Sequence, residues 1–439
     1  MRVINELDRC RLVGLFWIYL GLLLVEGVLR KWLLPEWSDV LLIVRDPVAL
    51  AIIGLGFRSG ALTLGRPMRG LTALWVCFVA LGALQIVFGD LGSVTVLGYG
   101  LRTYFLHPPL MFIMGRVFEP RDLRRATIAI VVLMLPIALL MVEQFRSAPS
   151  SWINRGAGEG RLQISSAMGR IRPAGPFSFI SGSVLYYALA FACLLGSHFE
   201  RDRVPTAVLW TGWAALILAT AVSGSRALLF AFVPIGIAAG AAYLMRPQLS
   251  GAMVRTVGTA MFVVSIVWVS SVVQEGVEVF SARLRNSGGV TMLLERIRGT
   301  VDMSVSAWSS APIMGAGLGL GTNAGTALLG SRVFKFGEDE WSRVVFEAGP
   351  PLGIAYLLWR AWLVWLLMKA AVGAARWGHV LPILCFGACA ANLLSGQWGQ
   401  TSIQGFAIWT AGMCIAGSRV AAVDVSRTLP VVLNKPRFA

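Results

Sequence analysis

The chain has 439 residues, 56% hydrophobic and 14% charged, with 38 Lys and Arg against 22 Asp and Glu for a net charge of +16. Soluble domains carry nearer one quarter charged residues, so this composition excludes an ordinary soluble globular protein. In so apolar a chain the basic excess is accounted for by positive-inside loops and contact with anionic membrane lipids, and no nucleic-acid partner is expected.

Apolar runs of about 18 residues or more recur along the whole length, each enough to cross roughly 30 Å of hydrocarbon. They predict an all-α polytopic membrane protein with spans near 12–29, 40–57, 71–88, 97–115, 126–145, 177–197, 205–222, 227–245, 254–273, 341–368, 379–395 and 401–418. The runs are continuous rather than alternating, which excludes a β-barrel. No small-residue cleavage site follows the first run, so it is expected to be retained as a span. On this reading 1–273 holds the first nine spans with a loop at 146–176. A large loop follows at 274–340, then three more spans in 341–418 and a tail at 419–439.

With the N-terminus cytoplasmic, the short inner loops carry Arg58, Arg66 and Arg69, then Arg116, Arg121, Arg124 and Arg125, then Arg201 and Arg203. The outer loops 89–96 and 396–400 carry no basic residue, so the bias places both termini inside. Against that bias, 146–176 holds Arg146, Arg155, Arg161, Arg170 and Arg172, and 274–340 holds Arg283, Arg285, Arg296, Arg298, Arg332 and Lys335. Long loops cross regardless of charge, so the orientation survives. The four-residue corner Ser223–Arg226 between spans seven and eight is also an outer one. Within the large loop, Leu294, Ile297, Val301, Val305 and Trp308 share one helical stripe, opposite Glu295, Arg298 and Asp302. That is an amphipathic helix, either on the membrane surface, over the bundle or inside a small loop domain.

Glu26, Arg45, Asp46 and Arg102 fall within spans, where charge is costly and turned inward. Glu26, Arg45 and Arg102 lie roughly 6–9 Å below the outer surface, at 1.5 Å per residue. A structural reading pairs Arg45 with Glu26 or Asp46 to join helices; a functional one makes a polar cavity that opens outward. Arg360 is expected to snorkel toward the cytoplasmic interface. The histidines, 107, 198 and 379, are too scattered for a metal site, and the six cysteines suggest neither a disulfide framework nor a metal centre. Neither metal nor cofactor is expected. The run GAGLGLG at 315–321 follows no strand and reads as a tight turn that brings the loop onto the bundle.

Arginine's planar fork suits phosphate and carboxylate, so outward arginines over an outer-leaflet cavity suit a lipid-linked pyrophosphate. Glycosyl transfer from such a donor needs the leaving pyrophosphate stabilised and the acceptor hydroxyl deprotonated. The acidic group GEDEWSRVVFEAG at 337–349 offers Glu340, with Asp339 and Glu347 as further candidates for that base. Their structural alternative is pairing with Arg332, Lys335 or Arg343.

RIRPAGPFSFISGSVLYYALAF, VSGSRALLFAF, MSVSAWSSAPIMGAGLGLGTNAG and DEWSRVVFEAGPPLGIAYLL occur in an order that resembles the O-antigen ligase and polymerase superfamily, over roughly residues 120–410. The resemblance implies a metal-independent membrane glycosyltransferase with a GT-C-like fold in the bacterial inner membrane. Such enzymes join glycans carried on undecaprenyl pyrophosphate at the periplasmic face. By resemblance, Arg226, Arg170 or Arg172, and Arg296 or Arg298 match the family's arginines; Arg102 and Arg45, from the polar-cavity reading, are further expected pyrophosphate contacts. The ligase branch carries a His-Asn pair where this chain has Asp339, Glu340 and Trp341, which favours a polysaccharide polymerase over a ligase. Other polysaccharide assembly and export proteins are then expected partners. The alternative from another class is a twelve-span secondary transporter, against which stands the lack of a central cytoplasmic connection.

Overall fold

The computed structural model describes residues 4–88, 93–158, 162–199, 204–286, 308–322 and 339–433, and the isolated positions 298, 299, 302, 306 and 325. Among them there is no strand, and ten helices are long and apolar enough to cross a membrane. The fold is consistent with an all-α, multi-pass membrane protein.

The helices are α1 (Glu6–Val28), α2 (Asp46–Arg58), α3 (Arg66–Phe88), α4 (Val94–Phe105), α5 (Pro108–Val117), α6 (Pro120–Arg146) and α7 (Ile180–Phe199). There follow α8 (Thr206–Ser223), α9 (Arg226–Met245), α10 (Ser250–Val267), α11 (Ser271–Asn286), α12 (Glu340–Arg376), α13 (Leu381–Ser395) and α14 (Thr401–Leu433). Local chemistry sets several starts. Asn5 caps α1 and Ser93 caps α4 through their side-chain oxygens, and Glu119 with Asp122 forms a capping box ahead of α6. The predicted run 254–273 is divided between α10 and α11.

Burial sorts the helices. The apolar windows of α7 and α14 are 83% and 72% buried, against 28% for α3 and 17% for the segment containing α10. A helix that is apolar all round belongs at the centre, and α7 and α14 are packed by α5, α6, α13 and one another. On α10, Val254 and Met261 are left exposed, as a lipid-facing helix requires.

Three predicted spans differ from a straight crossing. The run 97–115 breaks into α4 and α5 at Leu106–His107, because Pro108 and Pro109 lack N–H groups and restrict the residue before them. The run 379–395 is α13, whose 15 residues rise about 22 Å, short of a roughly 30 Å core. The run 341–368 is not one rod: α12 folds at Gly349, where φ is 74° and ψ 159°. Glu340 and Arg360 would stand about 30 Å apart on a straight helix, yet Arg360 Nη1 lies 2.9 Å from Glu340 Oε1. The first nine residues of α12 therefore fold back beside the arm that follows Pro351.

Most of the predicted amphipathic stripe, including Leu294, Ile297, Val301 and Val305, lies outside the described residues.

Candidate functional site

The end of α1, the 35–46 corner, α4, residues 156–157 and 162–181, and the loop before α14 converge at one end of the bundle. They enclose a polar cavity of ≈ 330 Å³. Its wall includes Arg30, Asp39, Tyr99, Gln163, Arg172 and Gln400.

Arg30 reaches the cavity because α1 widens into a π-turn over Leu29–Leu33, a distortion frequent at functional sites. Its Nε donates to Ser38 O (2.9 Å) and Ser38 Oγ (3.1 Å), and Nη1 to Ser178 Oγ (3.1 Å). The next residue, Lys31, is fully buried and donates to Gly175 O at 2.5 Å. Gln144 holds Gly175 at both N–H and C=O, and Asn154 donates to the carbonyls of Gln144 in the last turn of α6 and of Ser147 and Ala148 just after it. These contacts tie Asn154 and Gly175 to the end of α6. Arg172 then comes from a small hairpin, with its N–H on Ile164 O (2.8 Å) and a turn through Met168 and Gly169 at positive φ.

Beneath the cavity runs a buried chain of polar groups. Glu26 accepts from Thr401 Oγ1 (2.8 Å) and Arg30 Nη1 (3.4 Å), and its second oxygen lies 3.2 Å from Arg45 Nε. Arg45 donates to Tyr19 Oη (3.1 Å) and Thr401 O (2.5 Å). Tyr19 Oη is 3.0 Å from His107 Nδ1, and His107 Nε2 is 3.3 Å from Asp46. Arg102 binds Asp46 with two nitrogens, at 2.5 and 2.8 Å. The structural pairing of Arg45 with Glu26 is thus present. Asp46, at the start of α2, is paired instead with Arg102 of α4 and faces His107 at the break between α4 and α5.

A second buried network grips the other side of the 396–400 loop. Glu340 accepts from Arg343 Nε and Nη2 (both 2.9 Å), Arg360 Nη1 (2.9 Å) and Trp398 N (3.3 Å). Glu347 accepts from Tyr104 Oη (2.6 Å), Arg343 Nη1 (3.0 Å), Gly319 N (3.1 Å) and Gly321 N (2.8 Å). GAGLGLG is thus the tight turn expected, with Gly315, Gly317 and Gly319 at positive φ and Ala316 N on Phe346 O (2.7 Å). Between the short α13 and the start of α14, residues 396–400 are non-helical backbone inside an apolar bundle. Such backbone is tolerated only where protein buries it or where it lines a cavity. Both hold: Gly399, Gln400, Thr401 and Ser402 line the cavity, while Arg360 and Arg45 take the carbonyls of Gly396 and Thr401.

The predicted residues separate sharply. Arg172 lines the cavity. Arg45 lies beneath it with no surface left exposed. Arg102 lines a second, apolar crevice of ≈ 420 Å³ between α2, α3 and α4, and its guanidinium also reaches Leu42 O and the Tyr99 ring. Arg170 is committed to Glu275 of α11 and the carbonyls of Phe145 and Arg146. Arg226 is half-buried at the first position of α9, and Arg283 donates to Gly224 O beside it. Gly224 caps α8 at φ 54°, so the corner is a left-handed helix cap; neither Arg226 nor Arg170 lines the cavity. Arg298 is exposed, and Arg296 lies outside the described residues.

Of the candidate bases, Glu340 and Glu347 are 1% and 0% exposed and hold four donors each in the network above. Asp339 caps α12, accepting from the N–H groups of Trp341 and Ser342. None of the three lines the cavity. Arg360 does not snorkel: it is fully buried, with Nε on Leu393 O (2.6 Å), its guanidinium 4.2 Å over Trp398 and a salt bridge to Glu340. The fold at Gly349 brings a carboxylate to its level, and a desolvated cation pairs there instead of reaching for an interface. Arg30, Tyr19 and His107 gained no site role from sequence. Arg30 stands one residue past the first predicted span, and only the π-turn there distinguishes it from a boundary arginine.

Among the described residues no group of three or more His, Cys, Asp or Glu is placed to hold a metal ion. Comparison with protein-family models, curated proteins and solved structures finds no match to this chain.

Proposed function

We propose that this chain is a membrane glycosyltransferase that polymerises oligosaccharide repeats carried on undecaprenyl pyrophosphate, at the outer face of a bacterial inner membrane. The observation that carries the reading is the cavity lined by Arg30 and Arg172, walled by the π-turn at the end of α1 and the non-helical 396–400 loop. Two guanidinium forks match a pyrophosphate and stabilise the charge that develops as it leaves. Tyr99, Gln163 and Gln400, with the hydroxyls of Ser178, Ser181 and Thr401, supply the mixed donors and acceptors that sugar hydroxyls need. The apolar crevice beside Arg102 is the place for the nearest part of the prenyl tail. The twelve-crossing topology with both termini inside, and the GT-C-like character, belong to this proposal. The absence of histidine from 274–340 favours polymerase over ligase.

Transport is the second reading, because a polar cavity beside interrupted helices and unwound backbone is also how transporters hold substrates. Deleting the gene separates the two. The glycosyltransferase reading expects lipid-linked repeat units to accumulate and long polymer to vanish, with restoration by the wild-type chain. Unchanged polymer together with lost solute uptake favours transport.

A further inference from the structure

The reading above leaves the reaction without a base, and the cavity wall itself supplies one. Apart from Asp39, the carboxylates described above at this end of the molecule are engaged. Glu26 carries Thr401, Arg30 and Arg45; Asp46 carries Arg102; Glu275 carries Arg170; Asp339 caps a helix; Glu340 and Glu347 are enclosed by donors. An oxygen whose lone pairs are filled by arginine and backbone N–H donors is a poor proton acceptor.

Asp39 is different. It follows the 3₁₀ turn Pro35–Trp37 and starts another at Val40–Ile43, yet its side chain makes no capping hydrogen bond. It forms no ion pair among the described residues, is solvent-exposed, and is the single carboxylate among the residues lining the cavity. Arg30, on the same wall, is within its electrostatic reach.

We infer that Asp39 is the catalytic base for the acceptor sugar, an inference that rests on the glycosyltransferase reading. The acceptor hydroxyl oxygen bonds to the donor's anomeric carbon as that carbon's bond to the pyrophosphate oxygen breaks. The bonding pair leaves with the pyrophosphate, toward Arg30 and Arg172. The hydroxyl proton passes to the Asp39 carboxylate and from there to water. Placing the proton acceptor and the anion-binding cations on one wall lets each serve its own half of the exchange.

The test uses the purified full chain in lipid nanodiscs and the lipid-linked oligosaccharide that accumulates in cells lacking the protein. Binding and single-turnover glycan transfer are measured separately against pH for wild type, Asp39→Asn and Asp39→Glu. The expected result is that Asp39→Asn binds the lipid normally and transfers about 100- to 10,000-fold more slowly. Its rate also no longer falls as pH is lowered, and Asp39→Glu recovers part of the activity and the acid limb. Wild-type transfer with an Asp39→Asn variant of equal rate and unchanged pH profile overturns the base assignment alone. Binding without transfer by the wild type overturns the glycosyltransferase reading and the base with it.

Discussion

Arg343 sits between two carboxylates, and its surroundings decide what Glu340 is for. All three groups are buried to 5% exposure or less, and Arg360 adds a second cation on Glu340. Removing one charge from such a set strands its partner without water, at a cost of about 3–5 kcal/mol. Glu340→Gln should therefore lower the melting temperature of the purified protein and its folded yield. An Asp39→Asn variant, at an exposed position, should melt like wild type. If Glu340→Gln melted normally but lost transfer, its carboxylate would act in the chemistry. The acidic group was legible in the sequence as special, but its partners were not. Arg343 was foreseeable at three and four positions along a helix, whereas Arg360 is reached only through the fold at Gly349. Arg226 stands at a corner that the fold makes a two-residue helix cap held by Arg283, with Arg226 itself opening α9.

That fold is the element on which the site depends. Gly349 occupies a region of φ/ψ open almost only to glycine, and an added Cβ would overlap Ile313 O and lie 2.9 Å from Gly315 N. Gly349→Ala should destabilise the protein by about 1–3 kcal/mol through backbone strain, and further through the clash. It should also loosen the 313–321 turn, read as faster proteolysis there. Gly373→Ala in the same helix, with nothing within 4 Å of its Cβ, should leave both unchanged. Equal behaviour of the two variants would remove the case for a fixed re-entrant arm. Apolar run length announced α1, α3, α6, α7 and α9 directly. The same measure merged α4 with α5 and straightened α12, because hydropathy averages over a proline pair or a glycine that turns the chain. Pro108–Pro109 and Gly349–Pro350–Pro351 were the marks of interruption, and both interruptions face the buried networks.

At the scale of the whole molecule, the loops that build the cavity are those that the basic-residue bias places outside. A cysteine at Trp152, 64% exposed beside the cavity end, should react with an impermeant maleimide in intact cells, and one at Trp377, 52% exposed at the opposite end, should not. The reverse pattern would turn the cavity toward the cytoplasm and remove the proposed substrate from its reach. The excess of outer arginines, legible from sequence, resolves into different tasks once folded: Arg172 on the cavity, Arg170 and Arg283 as ties between the hairpin, α8 and α11. The central claim is that Arg30 and Arg172 hold a lipid pyrophosphate, and binding tests it without assuming any chemistry. The measurement is the affinity of the nanodisc-embedded protein for undecaprenyl pyrophosphate, in wild type and Arg172→Lys. Lysine keeps the charge and loses the fork. The account predicts saturable binding by wild type and at least about tenfold weaker binding by Arg172→Lys, equivalent to roughly 1.4 kcal/mol. Equal affinity of the two proteins, or no saturable binding by wild type, would contradict it.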